Sequence, residues 1–341
     1  MMKRPGQQRS SAAIVSAPAL LVVLAALSLA ACGGSGTTTS GSPSAAAGGA
    51  ALTASPSPSW SATMSPAPIP VVKPGEKLPP FAELQAMFAY DAAQPLGLET
   101  TPAEPQPGCT VDTVWFNVGD NQATGYLVTP KGAGPFPAVV YAPGWQADVM
   151  MFMDDAVALA RKGYAGLLLQ EPAWATYWSF DPQADLQAVV QTVTQAHRGL
   201  DLLATLPQID AQRIGFVGWS NGAHLLGGIA AGVDERIKAY VLIGMARPVT
   251  NYRGLGGLPK GAKGDQVAAQ LALWDPVNYL GHNRGSAFLL LNGSGDSNAM
   301  QDAKAFLAAA PKLKTWKVYS GGHSATPAAN KFWQAWMLKN L

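Results

Sequence analysis

Three residue types that together make a nucleophile, a base and an orienting acid occur in this chain in the contexts such chemistry requires. Residues 213–222, Arg-Ile-Gly-Phe-Val-Gly-Trp-Ser-Asn-Gly, run from an apolar stretch into Gly-x-Ser-x-Gly and then into a helical pattern. A serine on a sharp strand-to-helix turn presents its hydroxyl clear of a sheet, and crowding at that turn requires Gly218 and Gly222 to lack side chains. The helix that follows aims unpaired N–H groups at the site, which favours developing negative charge. Ser220 is therefore the expected nucleophile. A hydroxyl is a weak nucleophile without a base. His323 stands in a glycine-rich loop, Tyr-Ser-Gly-Gly-His-Ser at 319–324, just past the last strand pattern. His197 and His224 fall inside helical patterns and His282 in an irregular stretch, so each reads as a packing or surface residue.

The base needs an anion to hold its tautomer. Asp296 closes Asn-Gly-Ser-Gly-Asp after an apolar strand pattern. Capping the helix that begins at Ser297 is its alternative role. Asp302, the nearest substitute, falls inside that helix. An acyl-transfer intermediate also needs two hydrogen-bond donors for its oxyanion. One is expected from the N–H of Asn221, directly after the nucleophile. The other is expected from the loop Ala-Pro-Gly-Trp-Gln at 142–146, with Trp145 N–H preferred and Gln146 N–H as the fallback. Trp145, Trp174 and Trp219, with Trp178 and Trp274, lie on or near loops at the same edge and suggest an aromatic-walled substrate cleft; core packing is the competing role for each. Glu171, just past a strand pattern, either contacts substrate or caps its loop.

Positioning these residues demands a layered scaffold. Residues 113–118 and 123–129 alternate around Gly-Asp-Asn and read as a hairpin. Short, nearly continuous apolar runs follow at 137–141, 165–169, 213–217, 239–243 and 287–291, with 314–319 closing the set. Runs apolar on both faces are covered on both faces, which implies a mostly parallel sheet sandwiched by helices, an α/β fold. Helical patterns at 153–162, 181–206, 221–231, 297–310 and 326–341 fit between and after the runs. Residues 245–284 carry no strand pattern and read as a lid or excursion beside the site. The folded domain is expected over 81–341.

The N-terminus reads as an address. Lys3, Arg4 and Arg9 precede an apolar run at 14–29, which suits a secretory signal. Leu-Ala-Ala-Cys at 29–32 resembles the bacterial lipobox, which implies cleavage after residue 31 and lipidation of Cys32. Residues 33–80 are rich in Gly, Ser, Thr, Ala and Pro with almost no charge, as in a flexible spacer. The expectation is an extracytoplasmic protein, lipid-anchored to a bacterial membrane. Cys109, the second of only two cysteines, is left without a partner.

The 341 residues are 48% hydrophobic and 13% charged with a formal net charge of +2. No nucleic-acid partner is expected from that balance. No group of His, Cys, Asp and Glu has metal-ligand spacing, and no glycine-rich nucleotide loop is present, so no metal or cofactor is expected. Oligomeric state is not readable.

Taken with their spacing, the motif at 213–222, Pro-Gly-Trp at 143–145, Asp-Pro-Val-Asn-Tyr at 275–279, residues 293–296 and Gly-Gly-His at 321–323 resemble the dienelactone-hydrolase-like branch of the α/β-hydrolases over residues 110–341. The Gly-Trp-Ser-x-Gly turn and the Pro-Gly-aromatic loop are also similar to bacterial cutinases and polyester hydrolases, which carry Met where Asn221 stands; that departure argues against polyester activity. Dienelactone hydrolases use a cysteine nucleophile, so serine here implies an esterase acting on a small-molecule or polymeric ester. A peptidase or amidase, an acyltransferase and an inactive binding lipoprotein of the same fold are the competing classes.

Overall fold

The computed structural model describes residues 68–173 and 175–341, all within one compact unit. The signal segment, Cys32, most of the spacer and Trp174 lie outside the described residues. Among the described residues no helix is long and apolar enough to cross a membrane.

Nine strands make one sheet: β1 (Glu99–Pro102), β2 (Cys109–Val118), β3 (Asn121–Pro130), β4 (Phe136–Ala142), β5 (Ala165–Leu169), β6 (Ile209–Trp219), β7 (Ile237–Ile243), β8 (Ala287–Gly293) and β9 (Lys314–Tyr319). Their order is β1-β2-β3-β5-β4-β6-β7-β8-β9. β1 to β3 form an antiparallel meander, and β3 also pairs antiparallel with β5. From β5 to β9 every pairing is parallel. β1 has no alternating pattern and all of its residues are exposed, so it could not be read from hydrophobic periodicity; pairing with β2 alone makes it a strand.

The helices are α1 (Phe81–Ala86), α2 (Met153–Ala160), α3 (Pro182–Thr205), a wide π-helical segment over Gly222–Ile229, α4 (Ala230–Val233), α5 (Pro248–Gly254), α6 (Ala262–Leu271), α7 (Ser297–Ala309) and α8 (Pro327–Asn340). Alternate residues of the central strands point to opposite faces. Phe216 packs toward α3, the π-helical segment and α7, while Val217 packs toward α2 and α8. Both residues are fully buried, which is why the apolar runs read as continuous rather than alternating. α3 is started by Asp181, whose carboxylate accepts from Gln183 N and Ala184 N ahead of a proline in the first turn. Thr326 and Pro327 start α8 in the same way.

One expected boundary changes. The packed part of the chain begins before Phe81: Val72 is buried, Ile69 and Leu78 pack on the cluster beneath α3 and α6, and Gln266 and Gln270 both donate to Val72 O at 2.9 and 2.7 Å. Proline-rich composition hid this contact, because an irregular segment held by side-chain amides leaves no periodic signature. Residues 245–284, expected as a lid or excursion, hold α5, α6 and three short 3₁₀ turns. Trp274 and Tyr279 of this stretch are fully buried.

Candidate active site

Ser220 sits where β6 ends, with φ +53°. That left-handed conformation is strained for a residue with a side chain and persists only where the surroundings impose it. Here Ser220 N–H donates to Ile243 O of β7 and Gly222 N–H to Pro143 O after β4, both at 2.9 Å. A Cβ on Gly218 would collide with Gly222 O, and one on Gly222 with Ala142 O. The glycines of the motif are therefore required sterically, as read from the sequence.

His323 and Asp296 come together from the ends of β9 and β8. His323 Nδ1–H donates to Asp296 Oδ2 at 2.6 Å. The other oxygen, Oδ1, accepts from Ala299 N at 3.2 Å and caps α7, so the orienting and capping roles coexist on one side chain. The two loops are joined by their backbones: Ser294 N–H donates to Tyr319 O and Gly295 N–H to Gly321 O, both at 2.8 Å. A proton fixed on Nδ1 leaves the Nε2 lone pair of His323 available. Ser220, Asp296 and His323 all line one cavity of about 480 Å³. Among the described residues no hydrogen bond joins Ser220 Oγ to His323; such contacts are often long in a free enzyme and tighten with substrate.

Trp145 and Asn221 line the same cavity, and among the described residues neither backbone N–H meets an acceptor. The fallback donor is engaged: Gln146 N–H donates to Glu171 Oε2 at 2.7 Å. Trp178, with Asn251 and Gly254 of α5 and Leu255 just after it, supplies further walls. Trp145 is 40% exposed, whereas Trp178 is buried and touches the rings of His224, Tyr252 and Trp274. Trp219 departs from the expected aromatic wall. Its Nε1–H donates to His323 O at 2.9 Å and its ring lies 5.1 Å from the imidazole, so it braces the histidine loop rather than lining the cavity. Trp274 is core. Trp174 lies outside the described residues.

The remaining acids and histidines lie elsewhere. Asp302 accepts from Arg247 N. His282 stacks on Phe81, and His197 lies 3.8 Å from Asp234. His224, in the π-helical segment, is fully buried, and burial with the nearby His323 pushes it down to about 3; it is a neutral packing residue. Sequence reasoning missed Gly244, which follows β7 at φ +65°. A Cβ there would lie 3.1 Å from His323 Nδ1. Only the pairing of β7 with β8 brings it there.

Sheet order, nucleophile turn and the sequence order Ser, Asp, His define an α/β-hydrolase fold. A family model described as FrsA-like esterase matches residues 96–253, which includes Ser220 but ends before Asp296 and His323. Mouse bile acid-CoA:amino acid N-acyltransferase is 30% identical over 131 residues, 38% of this chain and 28% of that enzyme. The chain thus spans well under a third of that curated relative. Among solved structures, an acetyl xylan esterase from Paenibacillus sp. R4 superposes with a TM-score of 0.63 at 19% identity, covering 76% of this chain and 93% of that one. Acetyl xylan esterase 1 from Thermoanaerobacterium gives 0.64 at 16%, covering 79% and 95%, and the dienelactone hydrolase from Anabaena variabilis gives 0.51 at 20%, covering 69% and 99%. At these identities the structures establish the fold.

Proposed function

We propose that this chain is a serine ester hydrolase working through an acyl-enzyme on Ser220. The observation that carries the reading is the pairing of His323 Nδ1–H with Asp296 Oδ2 beside a strained Ser220 at one cavity. Ser220 Oγ attacks the ester carbonyl while His323 Nε2 takes its proton, and Asp296 stabilises the imidazolium. The carbonyl oxygen becomes an oxyanion held by the free N–H groups of Trp145 and Asn221. As the tetrahedral species collapses, the carbonyl carbon–alkoxy oxygen bond breaks and His323 returns the proton to the departing alcohol. Water then attacks the acyl-enzyme with His323 again as base, releasing the acid and restoring Ser220.

Hydrolysis of p-nitrophenyl esters from acetate to palmitate tests this, with Ser220→Ala beside the parent. Loss of activity and of fluorophosphonate labelling in Ser220→Ala is the expected result; a folded parent with neither activity nor labelling overturns it. Transfer to an amine or alcohol acceptor is a second reading, favoured by the likeness to an N-acyltransferase. It predicts product partitioning when an acceptor competes with water. The Leu-Ala-Ala-Cys motif supports a tethered, extracytoplasmic enzyme lipidated at Cys32, tested by mass spectrometry of the mature N-terminus.

A further inference from the structure

The loop that carries Trp145 is held in an unusual way. Gln146 adopts φ +57°, a left-handed conformation that a residue with a side chain keeps only when its surroundings hold it. Two consecutive side chains at the end of β5 do the holding. Gln170 Oε1 accepts from Val149 N at 3.2 Å and its Nε2–H donates to Ala147 O at 3.3 Å. Gln170 is itself anchored, because Gln195 of α3 donates to its backbone oxygen at 2.8 Å. Next in sequence, Glu171 Oε2 accepts from Gln146 N at 2.7 Å, the short distance of a charge-assisted bond. Its other oxygen, Oε1, accepts from the side-chain amide of Asn221 at 3.4 Å.

One carboxylate therefore spans two segments that are distant in sequence. One of its oxygens grips the residue after Trp145, and the other reaches the side chain of Asn221. Trp145 and Asn221 line the catalytic cavity, and neither backbone N–H has an acceptor among the described residues. Glu171 itself borders a neighbouring open cavity shared with Trp145 and Gln146 and a small buried void beneath Asn221, but not the cavity that holds Ser220. It stands behind the donors and does not touch the reacting atoms.

We propose that Glu171 is a positioning residue that sets the separation and direction of the two oxyanion donors, Trp145 N–H and Asn221 N–H. This rests on the ester-hydrolase reading above. Donors stabilise a transition state only when aimed at the place the oxyanion will occupy, about 3 Å away. A bond that fixes both donor segments to one rigid strand end supplies that aim before substrate arrives. The ground-state carbonyl depends far less on the same donors, so the effect belongs in kcat rather than in KM.

The test compares the parent with Glu171→Gln and Glu171→Ala in full steady-state kinetics on p-nitrophenyl acetate, with thermal melting and affinity for a boronic acid transition-state analogue measured alongside. Glu171→Ala frees both segments, and kcat is expected to fall about 100-fold, the scale of a displaced donor, with KM changed less than about threefold. Affinity for the boronate is expected to fall in parallel with kcat/KM. Glu171→Gln keeps an acceptor for Gln146 N–H, and its new amide can donate to Asn221 Oδ1 once that side chain flips; it should recover most of the lost rate. A Glu171→Ala protein that melts lower but keeps parental kcat and boronate affinity per folded molecule overturns the proposal and leaves Glu171 as a fold-stabilising residue. Inactivity of the parent itself would instead strike the ester-hydrolase reading, so the two failures are separable.

Discussion

Asp296→Asn is the substitution whose consequences the structure separates most cleanly. The side chain does two jobs with different atoms: Oδ1 caps α7 through Ala299 N, and Oδ2 takes the proton-bearing Nδ1 of His323 at 2.6 Å. Asparagine is nearly isosteric. Its oxygen can keep the cap, so the cost of losing a helix cap, about 1 kcal/mol, is avoided. Its amide then faces His323 Nδ1 as a donor. The imidazole must present a lone pair to it, which moves the proton to Nε2 and leaves no base for Ser220. Where the acid of such a triad has been amidated with its geometry intact, kcat falls by about 10⁴, or about 5 kcal/mol of transition-state stabilisation. The expected result is a loss of that order in kcat on p-nitrophenyl acetate, with a melting temperature close to the parent's. Asp296→Ala should match the loss in rate and also lower stability by the cap. A well-folded Asp296→Asn protein within tenfold of parental kcat would refute the reasoning, since a histidine that works without its acid is not oriented by it.

The other predictions draw on the same geometry. Gly244→Ala adds a Cβ 3.1 Å from His323 Nδ1 at a position of φ +65°; the left-handed backbone alone costs about 1 kcal/mol, and the displaced imidazole should lower kcat by roughly tenfold, measured by melting and by ester kinetics. His224 is held neutral, its value depressed from 6.5 to about 3 by burial. A lowered histidine value means stability that is fully present above 6.5 and lost as pH falls toward 3. His224→Leu, which cannot titrate, should therefore lose less stability than the parent between pH 7 and pH 4 in urea unfolding, and equal losses would sink the assignment. The Cys109 thiol is buried, and burial pushes its pKa up and so disfavours the thiolate; iodoacetamide at pH 8 should therefore modify it only after denaturant is added, and rapid labelling of the native protein is the contrary outcome.

The local signals were the strong ones. A Gly-x-Ser-x-Gly between an apolar run and a helical pattern identifies a strand-to-helix turn because crowding there excludes side chains at Gly218 and Gly222, and that constraint is written within five neighbouring positions. The apolar run at 165–169 became β5 with the same bounds, since burial on two faces leaves few polar residues to blur a strand's edges. The coincidence of Asp296 and His323 was also legible, as both follow strand patterns on glycine-rich loops. Other features depended on where distant segments meet. Trp219 reads equally well as cavity wall or brace until the His323 carbonyl is seen to accept its Nε1–H. Gly244 has no motif around it; its role follows from β7 lying beside β8, so that residue 244 meets residue 323. Glu171 lies 25 positions from Gln146 and 50 from Asn221, and periodicity carries no information at those separations. The sequence by itself determined the buried central strands and the strand-to-helix turn that carries Ser220, because these depend on steric and hydrophobic demands felt within a few residues. The tertiary structure alone decided which side chain holds which donor and which wall faces the cavity, because those contacts are made by chain crossings that only the packed sheet brings together.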